Sequence, residues 1–168
     1  LYVNKSSLPK VYGGFNTSLS WKGFDLSAIF AYSIGGYIYN RDITMILHNG
    51  SLEGRDWSTE ILKRWTPENR YTDVPALSTT SNNWNSASTR FLQNNSYMRL
   101  KNLTLSYDLP KQWISKLALS SVQVFVQGDN LFTIHRNQGL DPEQGITGIT
   151  YYRYPAMRTI SGGINLSF

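Results

Sequence analysis

A period of two runs through this chain and limits what it can become. At its end Ile160, Gly162, Ile164, Leu166 and Phe168 alternate with Ser161, Gly163, Asn165 and Ser167, so one face is apolar and the other small or polar. Phe15, Thr17, Leu19 and Trp21 repeat the pattern against Asn16, Ser18 and Ser20. Phe24, Leu26, Ala28, Phe30, Tyr32 and Ile34 do so against Asp25, Ser27 and Ser33. Between these two runs sits Lys22-Gly23, a two-residue junction that reads as a tight hairpin. A third run, Tyr97 to Leu109, sets Leu103, Leu105, Tyr107 and Leu109 against Thr104, Ser106 and Asp108, while Met98 and Leu100 have the opposite parity. A one-residue bulge near Lys101-Asn102 brings both sets to one face. In the fourth run Val122, Val124 and Val126 alternate with Gln123, Phe125 and Gln127.

The pattern predicts an all-β, antiparallel, up-and-down arrangement with strands near 11–22, 24–34, 97–109, 119–133 and 158–168. Two connections are short, Lys22-Gly23 and Pro110 to Ala118, and two are long, 35–96 and 135–157. Short and long alternate strictly. Up-and-down strands put successive turns at opposite ends, so both long loops fall on one rim. Within the first, Asp56 or Ser58 can cap a short helix through Ile61, Leu62 and Trp65, ended by Thr66-Pro67. Ser78 to Ser88, rich in Ser, Thr and Asn, reads as coil.

Composition decides which classes survive. Charged residues are 16% of the chain, against roughly 25% in ordinary soluble domains. Ser, Thr and Asn together fill 46 of 168 positions. The longest apolar stretch of note, Ala28 to Tyr32, is five residues, far short of the roughly 20 that a spanning helix needs. With no cysteine and two isolated histidines, His48 and His135, the chain offers no thiolate or histidine metal cluster and no cysteine nucleophile; no metal and no cofactor are expected. The formal charge is +5, but the cations are scattered, the densest groupings being Lys63-Arg64 and Arg99-x-Lys101, so nucleic acid is not an expected partner. A start at Leu1, without initiator Met or signal segment, suggests a mature product or a fragment.

Two architectures share this alternation. In a soluble β-sandwich, for instance a carbohydrate-binding module, the apolar faces pack against one another. In a transmembrane β-barrel they all face lipid, and the Ser, Asn, Gln and Thr faces line a wet interior. Aromatics near strand ends (Tyr12, Phe15, Trp21, Phe24, Tyr32, Tyr97 and Tyr107) match the girdles of a barrel. The terminal Phe168 resembles the signal read by the outer-membrane barrel-assembly machinery, and it sets the short turns on the periplasmic side and the long loops outside. Five strands cannot close a barrel, because an open edge in lipid leaves backbone groups unpaired, so the chain is expected to be the last part of something larger.

Several motifs extend this reading. Ser96-Tyr97-Met98-Arg99-Leu100-Lys101-Asn102-Leu103-Thr104-Leu105-Ser106-Tyr107 with Leu109-Pro110 resembles the penultimate-hairpin signature of the SusC/RagA group of TonB-dependent outer-membrane transporters of Bacteroidetes. Gly128-Asp129-Asn130-Leu131-Phe132, Gly139-Leu140-Asp141-Pro142-Glu143, Tyr154-Pro155-Ala156-Met157-Arg158 and Gly162-Gly163-Ile164-Asn165-Leu166-Ser167-Phe168 follow in the family's order. Arg64-Trp65-Thr66-Pro67-Glu68-Asn69 with Pro75 is similar to its long extracellular loop. The likeness runs from Pro9 onward. It implies a 22-stranded barrel occluded by an amino-terminal plug that lies outside these residues. It also implies a SusD-like surface lipoprotein as lid, oligosaccharide or peptide cargo, and energy relayed by TonB through the plug region. The chain would then hold the carboxy-terminal part of the barrel, bathed in outer-membrane lipid.

Such transport needs binding and gating, not bond chemistry, and no enzyme is expected. Asp141-Pro-Glu143 could pass for a glycosidase carboxylate pair, but Pro142 extends the backbone and the acids suit caps or ion pairs. Asp129 and Asn130 could ligate a hard cation, although turn-making suits them better. Cargo contact falls most naturally to aromatic faces on the outer loops: Trp57, Tyr71, Trp84, Tyr151 and Tyr152. Each could equally pack within its loop or against the lid protein. Trp65 continues the apolar stripe Ile61, Leu62, Trp65 and reads as structural. Arg99 and Lys101, near the outer end of the third strand, should face the lumen or the rim, since a cation on the lipid face costs about 2–4 kcal/mol at mid-bilayer.

Overall fold

A computed structural model of the protein describes residues 3–48, 54–78, 86–115, 119–143 and 145–168. The elements, in chain order, are β1 (Val11–Trp21), β2 (Phe24–Ile34), β3 (Tyr37–Asn40), α1 (Arg41–Ile46), β4 (Leu92–Asn94), β5 (Tyr97–Asp108), α2 (Lys111–Ile114), β6 (Ser121–His135), β7 (Ile149–Thr150) and β8 (Thr159–Ser167). Five long strands form one sheet in the order β1-β2-β5-β6-β8, every neighbouring pair antiparallel. The sheet stays open, as a piece of barrel wall must. A second, three-stranded sheet, β4-β3-β7, is built entirely from the long connections, with β3 antiparallel to β4 and parallel to β7.

Local chemistry fixes the wall. Lys22 and Gly23 both take positive φ, 48° and 87°, the condition for a type I′ turn whose twist matches the flanking strands, and Trp21 pairs with Phe24 across it. A Cβ on Gly23 would lie 3.1 Å from the Asp108 carbonyl oxygen. The register shift anticipated from the parity change is present: Leu100 pairs with Phe30 and Asn102 with Ile29, leaving Lys101 as the extra residue. Opposite it on β6 the register slips between Phe132 and Asp129, and Asn130 is held at φ 53°. These paired irregularities keep Met98, Leu100, Leu103, Leu105 and Tyr107 on one face.

Apolar rows therefore run unbroken across the sheet. Leu19, Leu26, Leu105, Val126 and Gly162 form one, and Thr17, Ala28, Leu103, Gly128 and Ile160 the next. No second layer covers this face among the described residues: Leu19, Trp21, Val126 and Ile164 are 66%, 64%, 52% and 62% exposed. A sandwich would have buried them, so the sheet does not favour that alternative. The opposite face is a ladder of side-chain hydrogen bonds. Asn102 donates to Asp129 (2.8 Å) and Thr104 to Asn102 (2.9 Å), while Gln123 donates to Asp108 (2.9 Å) and Asn165 to Gln123 (3.2 Å). Ser20 bonds Asp25.

Two of the girdle aromatics belong elsewhere. Register places Tyr12, Ser33, Tyr97 and His135 in one row on the polar face, so Tyr12 and Tyr97 do not join the ring of lipid-facing aromatics. Their parity, opposite to Phe15 and Met98, is the reason. On the apolar face Phe15 stacks on Phe30 (4.7 Å between ring centres) and Phe24 lies 4.4 Å from Tyr107, with the Lys22 ammonium 5.0 Å from the Trp21 ring.

The long connections fold into a cap on one rim, called outer below. Ile38 and Phe91 are 1% exposed, Val74 and Ile61 5% and 8%. Asn40 is fully buried and bonded at both ends of its amide: its Oδ1 accepts from the Ile43 N–H as the cap of α1, and its Nδ2 donates to the Gln138 carbonyl. Ser58 caps a 3₁₀ turn over Thr59–Lys63. That turn ends before Trp65, and Leu62 is 71% exposed, so the expected stripe Ile61, Leu62, Trp65 does not form: a 3₁₀ turn of three residues per repeat places only Ile61 inward. Most of Ser78 to Ser88 lies outside the described residues.

Candidate functional site at the outer rim

The wall and the cap meet at one buried ion-pair network. Arg99 belongs to the polar row of β5, beside Ala31 and Thr133, and its side chain is 4% exposed. Its guanidinium spends the full fork: Nε donates to Thr133 Oγ1 at 2.9 Å, one terminal nitrogen to Glu143 Oε2 at 2.8 Å, the other to Asp141 Oδ1 at 2.5 Å. Lys101, freed by the bulge, reaches the same Glu143 at 2.5 Å. Asp141 also accepts the backbone N–H of Glu143 (2.9 Å) and of Ala156 (2.6 Å). Burial alone pushes the Asp141 carboxyl up. The two backbone N–H donors and Arg99 together outweigh it and hold the pKa below its ordinary value.

Three separate motifs thus form one structural unit: Arg99-x-Lys101 on the wall, Asp141-Pro-Glu143, and Tyr154-Pro-Ala156. The acids pair with cations, as local ion-pair partners, and Arg99 lies in the polar row of β5 with Lys101 at the adjoining bulge. The network ties Asp141, Glu143 and Ala156 to the polar face of β5. Spacing on the chain gives no hint of it, since Arg99 and Asp141 stand 42 positions apart.

The aromatic candidates separate. Trp57 packs edge-on against buried His48, 5.1 Å between ring centres, and is part of the cap's own packing. Tyr71 is wholly exposed and makes no ring contact among the described residues. Trp84 lies outside the described residues. Tyr151 and Tyr152 come together, 4.4 Å apart and 49% and 62% exposed, just after β7. Tyr152 holds φ 48°, and its N–H donates to Asp42 Oδ1 at 3.1 Å. Arg41 stacks over the Tyr151 ring at 4.8 Å, and Arg55 reaches the Tyr152 hydroxyl at 3.4 Å. Neither arginine is predicted by any sequence signal.

A single antiparallel layer, greasy outside and hydroxyl- and amide-lined inside, with a folded cap clamped over one rim, is a segment of transmembrane β-barrel wall. No family model matches the chain. Individual proteins do. It is 33% identical over 166 residues to TonB-dependent receptor P3 of Formosa agariphila, and 30% identical over 173 residues to TonB-dependent receptor P26 of the same species. It is 27% identical over 168 residues to TonB-dependent receptor SusC of Bacteroides thetaiotaomicron. These matches take in 92%, 97% and 99% of this chain but 16%, 17% and 16% of the relatives, so it spans about one sixth of their length. Among solved structures it superposes on the RagAB peptide importer in its 'open-open' state with a TM-score of 0.86 at 35% identity, and in its 'closed-closed' state with 0.84 at 34%. Each superposition covers 99% of this chain and 18% of the other. Over nearly its whole length the chain matches a segment of SusC/RagA-type TonB-dependent receptors.

Proposed function

We propose that residues 1–168 form the carboxy-terminal part of the barrel of an outer-membrane importer. In this reading the importer takes up oligosaccharides or peptides with energy relayed by TonB through a plug region, and works with a SusD-like surface lipoprotein. The observation that carries it is the two-faced wall: an apolar face without a covering layer beside a hydrogen-bonded polar face, with the cap on one rim only. In this role the chain binds and positions cargo and carries out no bond chemistry. Tyr151 and Tyr152, with Tyr71 as an outlying ring, offer flat apolar faces to the cargo, and Arg99 and Lys101 anchor the rim.

The test is uptake by cells expressing the full-length transporter with its lipoprotein. Entry of a labelled oligosaccharide or peptide that stops on deletion of TonB supports the proposal. Entry that is indifferent to TonB would overturn it, and so would membrane fractionation that leaves the protein out of the outer membrane.

A further inference from the structure

The cluster around Tyr151 and Tyr152 holds more than aromatic area. Tyr152 sits in a left-handed backbone conformation that L side chains rarely adopt, maintained by its hydrogen bond to Asp42, and such conformations gather at ligand clamps. That bond also engages the acid closest to Arg41 in sequence. The guanidinium carbon of Arg41 lies over the Tyr151 ring, 4.8 Å from its centre, a contact that uses none of its N–H donors. No hydrogen bond or ion pair uses the donors of the Arg41 side chain among the described residues. Arg55 makes only a long contact, 3.4 Å, to the Tyr152 hydroxyl. Two exposed rings and two cations with donors to spare therefore share one patch of the cap.

We infer that Arg41, Arg55, Tyr151 and Tyr152 form a subsite for a carboxylate-bearing group of the cargo. The carboxylate receives the planar fork of Arg41 side-on, and the apolar body of the same group lies on the phenol faces. This rests on the cargo-contact reading above and adds the chemistry of what is recognised. A uronic acid residue and an acidic peptide side chain both supply that chemistry.

The full-length transporter, purified with its lipoprotein, is titrated calorimetrically with two matched pairs: oligogalacturonate against its methyl ester, and a glutamate-rich peptide against its glutamine counterpart. The acidic member of at least one pair should bind about tenfold tighter, and the pair that discriminates identifies the source of the carboxylate. Arg41→Gln should bring the acidic-to-neutral ratio close to one, and Arg41→Lys, which keeps the charge but loses the fork, should recover only part of it. Equal affinities within both pairs, binding by none of the four probes, or an acid preference that survives Arg41→Gln would each overturn the inference. Because affinity is read without transport, an importer that takes up cargo through TonB but shows no acid preference sinks this subsite alone. Uptake indifferent to TonB sinks the wider reading.

Discussion

The wall and the cap are made from one chain by opposite rules. In the cap, apolar side chains are hidden from solvent, with Ile38 and Phe91 at 1% exposure, and the buried Asn40 is hydrogen-bonded through both Oδ1 and Nδ2, as in any water-soluble domain. In the wall the large residues stay outside and the polar ones bond to one another across the inner face. Its order comes from backbone ladders and from the solvent it is built for, not from a core. A chain that crosses from lipid to water over a few residues must change its rule at the rim, and the Arg99 network sits at that change.

The sharpest way to separate the two regions is to cut their link. Arg99→Met leaves Asp141 and Glu143 without their shared cation, and breaking a buried ion pair this way costs about 3–5 kcal/mol. Limited proteolysis of the full-length protein in liposomes should then cleave the 136–158 connection readily while the strand signal of the wall persists. If wall and cap melt together, they are a single unit. Next in size is a charge placed on either face of the same strand pair. Val126→Arg, on the apolar face, should destabilise folding into liposomes by about 2–4 kcal/mol, whereas Ser161→Arg, paired with Gln127 on the polar face, should change it by less than about 0.5 kcal/mol. Urea titration of the two variants reads the difference.

Smaller effects refine each side. Gly23→Ala forces a Cβ into a left-handed turn position beside Asp108 and should cost the wall about 1–2 kcal/mol in the same titration, with no effect on cap proteolysis. For the cap, pH is the probe. The Asp141 pKa is lowered in the folded state, so the unfolded chain takes up the proton first. The contribution of this carboxyl is whole above its ordinary value of 3.8 and is lost as pH falls through the lower folded value. Cleavage of the 136–158 connection by an acid-active protease, followed from about pH 6 down to about pH 2, should stay slow until that range and rise within it, while an Asp141→Asn variant loses the step.

The wall was legible because strand parity is local. Five strands, the Lys22-Gly23 hairpin and even the bulge at Lys101 follow from which neighbours are apolar, and the parity switch between Leu100 and Leu103 is visible without any partner strand. The same parity would have kept Tyr12 and Tyr97 out of the lipid-facing girdle. The cap was not legible, since its sheet is assembled from strands of four, three and two residues, too short to show a period, brought together from distant parts of the two long connections. Within the candidate site, Arg99, Lys101, Asp141, Glu143 and the tyrosine pair each stood out by type. Their grouping did not, because Arg41 and Arg55 reach Tyr151 and Tyr152 only through the fold. Trp57 illustrates a different gap: a loop tryptophan 39% exposed whose edge-on contact with His48 spacing on the chain does not show.

The account turns on which face of β6 meets hydrocarbon. This segment has no cysteine, so single cysteines at positions 123 to 127 of a full-length protein cleared of its other cysteines can carry spin labels in liposomes. Labels at Val124 and Val126, 40% and 52% exposed, should be relaxed by oxygen and shielded from a water-soluble nickel chelate, with the reverse at Gln123, Phe125 and Gln127. If the valine positions are instead sealed from both reagents, those side chains meet across a dry interior, and the barrel-wall account is wrong.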